Sequence, residues 1–296
     1  METRRKPPWL KVNLSSGNEF SRTRAATESL GVPTVCRSAK CPNLGDCWAR
    51  KSAAFMILGE NCTRACRFCA VPHGRPCAPD PGEPARTAEA AAMLGLKYVT
   101  LTSVTRDDLP DGGAGHWAQT VLELRRRLPG AKIEILVPDF RGRIRDIDTV
   151  AASRPDVFNH NLETVRRLQK PVRGAADYDT SLSVLSRAAL AGIETKSGIM
   201  LGLGETVDEV RECILDIRAA GASMLTVGQY IPPSPRHAPL ERWAEPSEFE
   251  CIRKFALSAG FRSVLSAPLA RSSYHPPSED PGCATPDGEP RSGDSQ

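Results

Sequence analysis

Short apolar runs and longer amphipathic segments alternate along most of the chain, from about residue 52 to about residue 259. The short runs resemble buried strands, whereas in the longer segments apolar residues recur at helical spacing. Gly192, Gly221 and Gly260 each follow one of the longer segments, as is typical of helix ends. We therefore predict six strands, at residues 52–59, 98–104, 133–137, 157–162, 194–201 and 224–230. Helices are predicted at residues 88–96, 116–128, 144–153, 181–191, 207–220 and 248–259.

Each predicted strand is followed by a predicted helix, which is the pattern of an α/β fold with parallel strands and right-handed crossovers. Six such repeats are fewer than the eight of a closed (β/α)8 barrel. We therefore predict that residues 51–262 form an open, partial (β/α)6 barrel with a lateral mouth. Functional sites in such folds lie at the carboxyl ends of the strands, so we expect the chemistry at that edge.

The segments on either side of the predicted barrel lack this alternation. Residues 1–50 are polar and contain proline breakers, which predicts an N-terminal arm with one short helix within residues 20–30, followed by a cysteine-bearing loop. Residues 263–275 are expected to close the fold at its C-terminal side. Residues 276–296 are rich in Pro, Ser, Gly, Asp and Glu and have no apolar period, which predicts a disordered tail.

The composition argues against several classes of protein. The chain has 39 Lys and Arg against 35 Asp and Glu, and the basic residues form no long run, so nucleic acid is not expected as an obligatory partner. No window approaches the roughly 18 consecutive apolar residues of a membrane span. Six of the ten cysteines lie in two triplets, and the N-terminal stretch has no apolar signal sequence. Reduced thiols and a cytoplasmic location are therefore expected.

Three cysteines follow the first predicted strand at close spacing. Cys62, Cys66 and Cys69 have three and then two residues between them, which lets their sulfurs converge on one small inorganic body. Iron–sulfur clusters of the 4Fe–4S type are usually held by four thiolates, so three would leave one iron open to an outside ligand. The alternative is a structural zinc site in which His73 completes a Cys3His set.

A second triplet, Cys36, Cys41 and Cys47, precedes the first, with four and then five residues between its members. This wide spacing, with a proline, an asparagine and a glycine as turn formers, predicts an irregular loop wrapped around a cluster rather than a helix. The alternative is that these are buried free cysteines, because cysteine is among the most buried residue types. Two triplets close together favour metal binding instead.

Polar residues collect where the predicted strands end. Because the carboxyl ends of parallel strands meet at one edge, these side chains would line one rim of the barrel, and such a lining suits a polar nucleoside ligand. Taken singly, each has the alternative interpretation of a capping or solvated residue. The candidate rim residues are Thr102, Ser103, Asn159, Asn161, Glu163, Lys196, Glu205, Gln229 and Tyr230.

The close triplet just after a strand, with Phe68 before its last cysteine, resembles the radical S-adenosylmethionine (SAM) superfamily. The resemblance implies that the open iron binds the amino and carboxylate groups of SAM, and that an electron from the cluster cleaves SAM to a 5'-deoxyadenosyl radical. The wide triplet ahead of it and the Arg-Ser-Ser-Tyr motif at residues 271–274 make the resemblance more specific. Over residues 8–275 the chain resembles the lipoyl synthase family.

That resemblance implies an enzyme that inserts two sulfur atoms, at C6 and C8, into an octanoyl chain carried on a lysine of a lipoyl-carrier domain. The carrier would be the E2 subunit of a 2-oxoacid dehydrogenase or the H protein of the glycine cleavage system. Two 4Fe–4S clusters, SAM as oxidant at each insertion and an electron-donor protein are implied, with the cluster on the wide triplet as the sulfur source. An unactivated C–H bond offers no acidic proton to a base, so a radical cofactor must supply the difficult step while the protein supplies position.

Two more residues gain a role from the resemblance. Ser273 would be the fourth ligand of the wide-triplet cluster, and Arg271 would help to position its segment across the barrel mouth. Without the family, both serines of the motif are interpreted as hydrogen-bonding residues at the edge of the fold.

The chain departs from the family pattern at one loop. After Tyr230 the family continues with a Leu-Gln-Pro-Ser type of segment, whereas residues 231–237 here read IPPSPRH, and the extra prolines stiffen that loop. Two rival interpretations remain: another radical SAM enzyme with an auxiliary cluster, and a zinc-bound scaffold protein.

Overall fold

Seven parallel strands, paired in chain order, form one open sheet in the computed structural model, which describes residues 5–11 and 17–273. All six predicted strands are present near their predicted positions, so the prediction of an open, parallel α/β barrel is confirmed. The strands are β1 (Ala54–Ile57), β2 (Tyr98–Ser103), β3 (Lys132–Leu136), β4 (Val157–Asn159), β5 (Glu194–Leu201), β6 (Met224–Gln229) and β7 (Ser263–Ser266).

The seventh strand was not predicted. It lies in the segment expected to close the fold, and it pairs with β6 through Leu225 opposite Val264 and Thr226 opposite Leu265. Val264 and Leu265 are its only apolar residues, and they are flanked by serines. Four residues with so little apolar content do not give a period that sequence reasoning can detect.

Helices follow the strands of the sheet as predicted. Most begin a few residues earlier than expected, because proline or polar residues occupy their first turns, as at Pro84. Thr206 and Glu209 form a reciprocal capping box at the start of the helix after β5. The helices are α1 (Asn18–Ser29), α2 (Val35–Ser38), α3 (Leu44–Ala49), α4 (Glu83–Met93), α5 (Ala114–Arg127), α6 (Ile144–Ala152), α7 (Gln169–Arg173), α8 (Tyr178–Leu190), α9 (Val207–Ala219) and α10 (Pro246–Ser258).

Apolar residues of the strands and helices pack into two main clusters. One joins β1 to β4 with α4 to α6 and includes Phe55 and Trp117, both fully buried. The other joins β5 to β7 with α9 and α10 and includes Val227 and Ile214, also fully buried. Burial of each such side chain stabilises the fold by about 1.5–3 kcal/mol relative to an exposed position. The strands are therefore held in place by the packed core.

The N-terminal helix and the edge of the sheet are joined by packing and backbone pairing. In α1, Phe20 packs against Trp48 of α3 with ring centroids 5.4 Å apart, and the Thr23 hydroxyl donates to the Trp48 carbonyl at 3.0 Å. Thr34 forms an antiparallel bridge with Phe55, which covers the exposed edge of β1. The segment that carries the wide triplet is therefore fixed against the sheet.

The prediction that the wide triplet lies in an irregular loop is wrong for two of its members. Cys36 lies in α2 and Cys47 lies in α3, while Cys41 falls in the turn between them. At Cys47, the packing of Trp48 against α1 favours helix and outweighs the turn preference of the asparagine and glycine nearby. Two short helices, rather than a wrapped loop, present these thiols.

None of the helices in residues 5–11 and 17–273 has the length and apolar content needed to cross a bilayer. Tyr274 and the tail predicted at residues 276–296 lie outside the described residues.

Candidate functional site

A cavity of about 530 Å³ lies at the carboxyl ends of the strands. Residues at the ends of several strands contribute to its wall, among them Ser103 of β2, Leu136 of β3 and Gln229 of β6. Both cysteine triplets reach this cavity, although they occupy different parts of the chain. The cysteines on its wall are Cys36, Cys41, Cys62, Cys66 and Cys69.

The first triplet lies in a loop that folds back on itself after β1. The Cys62 amide donates to the Pro72 carbonyl at 2.8 Å, and the Gly74 amide donates to the Cys62 carbonyl at 2.9 Å. The Cys62 sulfur accepts hydrogen bonds from the backbone amides of Arg64 at 3.4 Å and Thr105 at 3.3 Å. These two hydrogen bonds fix the position of the Cys62 sulfur on the cavity wall.

Burial shifts the pKa values of the other two thiols of this triplet. Burial raises the pKa of Cys66, and it raises the pKa of Cys69 to about 12. A thiol must lose its proton to become a ligand, so these sulfurs need the positive charge of bound metal to ionise. Three soft donors beside a cavity fit an iron–sulfur cluster.

The second triplet has similar chemistry. Burial raises the pKa of Cys36 to about 11 and that of Cys47 to about 12, and the mutual charge of the three sulfurs adds to both shifts. The Cys41 amide donates to the Cys36 carbonyl at 3.0 Å, which holds the turn between the two short helices. Cys47 is buried beside the other two thiols but is not on the cavity wall. This soft donor set also fits a cluster.

Among the described residues, no three His, Cys, Asp or Glu side chains are arranged to hold a single metal ion. In a four-iron cluster each thiolate binds a different iron, so the ligands need not converge on one point. His73, the fourth ligand of the zinc alternative, pairs with Cys62 through a parallel backbone bridge, and its side chain is exposed.

Most of the predicted rim residues lie on the cavity wall. Asn161 donates to the half-buried carboxyl of Glu163 at 3.1 Å, and desolvation raises the pKa of that carboxyl. Glu163 has a left-handed backbone, with φ of 67°, and its amide donates to the Gly198 carbonyl of β5 at 2.9 Å. The predicted site residues on the wall, besides the cysteines, are Phe68, Thr102, Ser103, Asn161, Glu163, Gln229, Tyr230, Arg271 and Ser273.

Three predicted rim residues have other partners and are not on this wall. The Asn159 amide and the Lys196 ammonium each donate to the buried Glu134 carboxyl of β3, both at 2.9 Å. Glu205 accepts hydrogen bonds from the backbone amides of Gly202 at 2.7 Å and Leu203 at 2.9 Å, so it stabilises the turn after β5. The expectation that these three side chains face a ligand is corrected accordingly, because none of them lies on the cavity wall.

Several wall residues were not predicted. His160 is 2% exposed, and its Nδ1 donates to the Val137 carbonyl at 2.8 Å. Burial lowers the pKa of His160 to about 4, so its ring is neutral at physiological pH. Arg64 and Asp139 also line the wall and are paired with each other. The available signals were weak: Arg64 lies inside the close triplet, and His160 lies between two polar rim residues.

The C-terminal segment crosses the same cavity. Arg271, Ser272 and Ser273 all lie on its wall. Burial lowers the pKa of Arg271, and the thiolate of Cys41 and the carboxylate of Glu163 act in the opposite direction. Arg271 therefore lies within electrostatic reach of one residue from the second triplet and one from the rim.

The proline-rich loop that departs from the family pattern contacts the first triplet. Nε2 of His237 donates to the Cys69 carbonyl at 3.1 Å, and Nδ1 accepts from the Ser234 hydroxyl at 2.8 Å. The Ala238 amide donates to the Arg67 carbonyl at 2.7 Å. This loop therefore contacts and supports the loop that carries the first triplet.

Comparison with known proteins agrees with these features. A family model described as the Radical SAM superfamily matches residues 56–217. A lipoyl synthase of Methylococcus capsulatus is 53% identical over 274 residues, which cover 92% of this chain and 85% of the relative. A lipoyl synthase of Parabacteroides distasonis is 49% identical over 271 residues, which cover 92% of this chain and 96% of the relative.

Solved structures with the same fold are more distant in sequence. Methylornithine synthase (PylB) superposes with a TM-score of 0.52 at 14% identity, over 86% of this chain and 80% of that protein. SuiB of Streptococcus suis, bound to S-adenosylmethionine, superposes with a TM-score of 0.56 at 11% identity, over 76% of this chain and 53% of that protein. At these identities the likeness shows the fold alone.

Proposed function

Because the chain belongs to the lipoyl synthase family of the radical SAM superfamily, we propose that it inserts sulfur at C6 and C8 of an octanoyl chain attached to a lysine of a carrier protein. Family membership makes it a radical SAM sulfurtransferase of lipoyl cofactor synthesis, which uses SAM and 4Fe–4S clusters. We propose, beyond this, the positions of insertion, the source of the sulfur and the roles of individual residues.

One observation carries this function: a single cavity is lined by both cysteine triplets. Cys36 and Cys41 stand on the same wall as Cys62, Cys66 and Cys69. An alkyl chain in this space would meet the site of SAM and the site of the sulfur source in one enclosed volume. Such proximity makes sulfur capture nearly unimolecular, which favours it over escape of the reactive carbon centre.

The thiols are proposed to hold two clusters. When bound, the cluster on Cys62, Cys66 and Cys69 supplies an electron for the cleavage of SAM, and the cluster on the second triplet and Ser273 supplies the sulfur atoms. The backbone amides of Arg64 and Thr105 fit this role, because they hold the Cys62 sulfur in a fixed position. The buried thiols of the second triplet fit as well, because they ionise readily only next to a cation.

SAM is proposed to bind against the polar part of the wall. SAM carries a positive charge on its sulfonium, and a cation beside the half-buried carboxyl of Glu163 would favour the carboxylate form. Asn161 holds that carboxyl in place through the hydrogen bond at 3.1 Å. The residues proposed to contact SAM are Phe68, Thr102, Ser103, Asn161, Glu163, Gln229, Tyr230 and Arg271.

Another part of the wall carries apolar side chains that suit an octanoyl chain. Val35, Val71, Met200, Ile231 and Pro232 line it. Burying each methylene of the chain on such a surface is favourable by about 0.8 kcal/mol. Apolar contact of this kind also excludes water, which protects a reactive carbon centre from side reactions.

The substrate is proposed to arrive on a carrier protein, either the E2 subunit of a 2-oxoacid dehydrogenase or the H protein of the glycine cleavage system. A separate electron-donor protein would reduce the first cluster. We propose a cytoplasmic location, where thiols remain reduced. No nucleic acid and no membrane are required by this activity.

Anaerobic turnover tests the function. The reconstituted protein, SAM, a reductant and a carrier peptide with an octanoylated lysine are incubated, and the peptide is read by mass spectrometry. We expect the peptide to gain two sulfur atoms, while a peptide with an unmodified lysine gains none. An octanoylated peptide left unchanged by protein that contains both iron and acid-labile sulfide would contradict the proposal. Absence of iron and sulfide after anaerobic preparation would favour the zinc scaffold instead.

A further inference from the structure

A buried ion pair lies beneath the cavity, between two strands that are not adjacent. Lys196 of β5 donates from Nζ to Oε1 of Glu134 on β3 at 2.9 Å. The side chains are 5% and 0% exposed, respectively. Asn159 of β4, the strand between them, donates to the same oxygen at 2.9 Å, and the Tyr98 hydroxyl donates to the other carboxylate oxygen at 2.5 Å. The Glu134 carboxylate is therefore well satisfied by hydrogen bonds.

Burying two charges is costly, and an apolar pair of similar size is often as stable. The fold alone therefore does not account for a lysine at this position. Lys196 has a second partner outside the sheet: its ammonium donates to the backbone carbonyl of Ser272 at 2.7 Å, across 76 positions of sequence. The ion pair thus holds a cation directly beneath the C-terminal segment.

Other contacts hold the same segment at the same place. The Ser272 hydroxyl donates to the Asn161 side-chain oxygen at 2.9 Å. A side chain at Gly228 would meet the Ala270 carbonyl oxygen at 2.2 Å, so β6 needs glycine there for the segment to lie against it. Asn43, in the turn of the second triplet, donates to the Leu269 carbonyl at 2.7 Å. The segment is therefore bound both to the sheet and to the cysteine turn.

We infer that Lys196, oriented by Glu134, is a positioning residue that fixes residues 270–273 over the cavity and so sets the place of Ser273 and Arg271 during sulfur insertion. This role rests on the proposed function, and it assigns Lys196 to the second cluster site rather than to SAM. Lys196 reaches neither triplet directly in the described structure; it acts through the carbonyl that precedes Ser273. Loss of its ammonium should therefore impair sulfur transfer while leaving SAM cleavage intact.

Two variants separate this role from a general loss of stability. Lys196→Met removes the ammonium but leaves the Glu134 carboxylate with one partner fewer. The double variant Lys196→Met with Glu134→Gln removes both charges, so no buried charge loses its counter-ion. Lys132→Met is the matched control, because Lys132 is an exposed lysine at the amino end of β3, away from the cavity.

The first readout is the amount of thiolated peptide formed per 5'-deoxyadenosine by the reconstituted enzyme. We expect this ratio to fall about tenfold or more in both Lys196 variants, the effect of losing a hydrogen bond to a charged group, and to stay unchanged in Lys132→Met. An unchanged ratio in Lys196→Met would overturn the inference. Recovery of the ratio in the double variant would also overturn it, because the defect would then come from the unpaired carboxylate.

The second readout uses the cluster-free protein and does not depend on activity. Trypsin cleaves after arginine, so the rate of cleavage after Arg271 reports how firmly the segment is held. We expect faster cleavage there in both Lys196 variants and an unchanged rate in Lys132→Met. Equal rates in all proteins would contradict the inference. If the unmodified enzyme makes no thiolated peptide at all, the proposed function fails, and the trypsin rates still decide whether Lys196 holds the segment.

Discussion

Arg64 and Asp139 are joined by two hydrogen bonds, Nη1 to Oδ2 at 2.6 Å and Nη2 to Oδ1 at 2.7 Å, although 75 positions separate them in the sequence. The same guanidinium binds Asp107 from Nε at 2.7 Å and from Nη2 at 3.0 Å. Arg64 lies between Cys62 and Cys66. Its hydrogen bonds to Asp107 and Asp139 therefore join the loop of the first triplet to the segments that follow β2 and β3. Bidentate pairs of this kind fix orientation as well as distance.

Asp139→Asn should lower the free energy of unfolding of the cluster-free protein by at least about 2 kcal/mol near neutral pH. Burial alone would raise the pKa of Asp139, but the hydrogen bonds and charge of Arg64 outweigh burial and lower it to about 2. Each pH unit by which folding lowers the pKa of a carboxyl group stabilises the fold by about 1.4 kcal/mol. This contribution is complete above the ordinary carboxyl pKa of about 4 and is lost as the pH falls toward about 2.

Urea unfolding at a series of pH values measures this effect. The difference between the unmodified protein and Asp139→Asn should shrink as the pH falls from about 4 toward about 2. Asp179→Asn is the control, because it removes only an exposed pair with Arg166 and should change stability by less than about 1 kcal/mol. A difference in unfolding free energy that stays constant over this pH range would contradict the lowered pKa of Asp139.

Replacing Cys62, Cys66 or Cys69 with Ala should abolish 5'-deoxyadenosine formation, even without peptide substrate. Each thiol is proposed as a ligand of the SAM-cleaving cluster, and two remaining thiolates would hold it poorly. Chromatography of the reaction mixture detects the nucleoside. Cys251→Ala, at an exposed cysteine of α10, should have no effect. Reductive SAM cleavage by a variant that lacks all three thiols would contradict the ligand assignment.

Replacing Cys36, Cys41 and Cys47 together with Ala should abolish sulfur insertion but not SAM cleavage. 5'-Deoxyadenosine should still form, because the first triplet is intact, whereas thiolated peptide should disappear. Iron bound per chain should fall by about half relative to the unmodified protein, since one of two proposed clusters is lost. Thiolated peptide from this variant would show that the sulfur has another source.

Ser273→Ala should allow both clusters to assemble but lower the yield of thiolated peptide, because a hard serine oxygen is the proposed fourth ligand of the second cluster. Ser272→Ala should do less, since Lys196 still holds the backbone carbonyl of residue 272. Mass spectrometry of the peptide compares the two variants under identical conditions. A yield from Ser273→Ala equal to that of the unmodified enzyme would show that this serine is not a required ligand.

The sequence was sufficient to predict the parts of the fold and site that depend on local pattern. Six strands have enough apolar residues to be recognised, whereas β7, with Val264 and Leu265 alone, does not. The rule that sites lie at strand ends predicted Asn161 and Glu163 at one rim of the barrel, and both lie on the cavity wall. Their role in binding a ligand stays a prediction. Helix formation at Cys36 and Cys47 was missed, and at Cys47 the packing of Trp48 against α1 outweighed the local turn preference.

Contacts between distant parts of the chain could not be predicted. Nothing near Lys196 indicates that its ammonium binds the Ser272 carbonyl, and nothing near Arg64 indicates Asp139. For the same reason Lys196 was expected to face a ligand, whereas it lies beneath the C-terminal segment. A single sequence shows which residue types are present, but their pairing across tens of positions follows from tertiary packing.

The origin of the inserted sulfur is the most direct test of the second cluster as sulfur source. The protein is reconstituted with sulfide of a heavy isotope, freed of unbound sulfide, and given SAM, reductant and octanoylated peptide in a single turnover with light sulfide in the buffer. We expect both sulfur atoms of the product to carry the heavy isotope, and we expect Ala replacements at Cys36, Cys41 and Cys47 to abolish the labelled product. Product that carries light sulfur would contradict the role of the second cysteine triplet as the holder of the sulfur source.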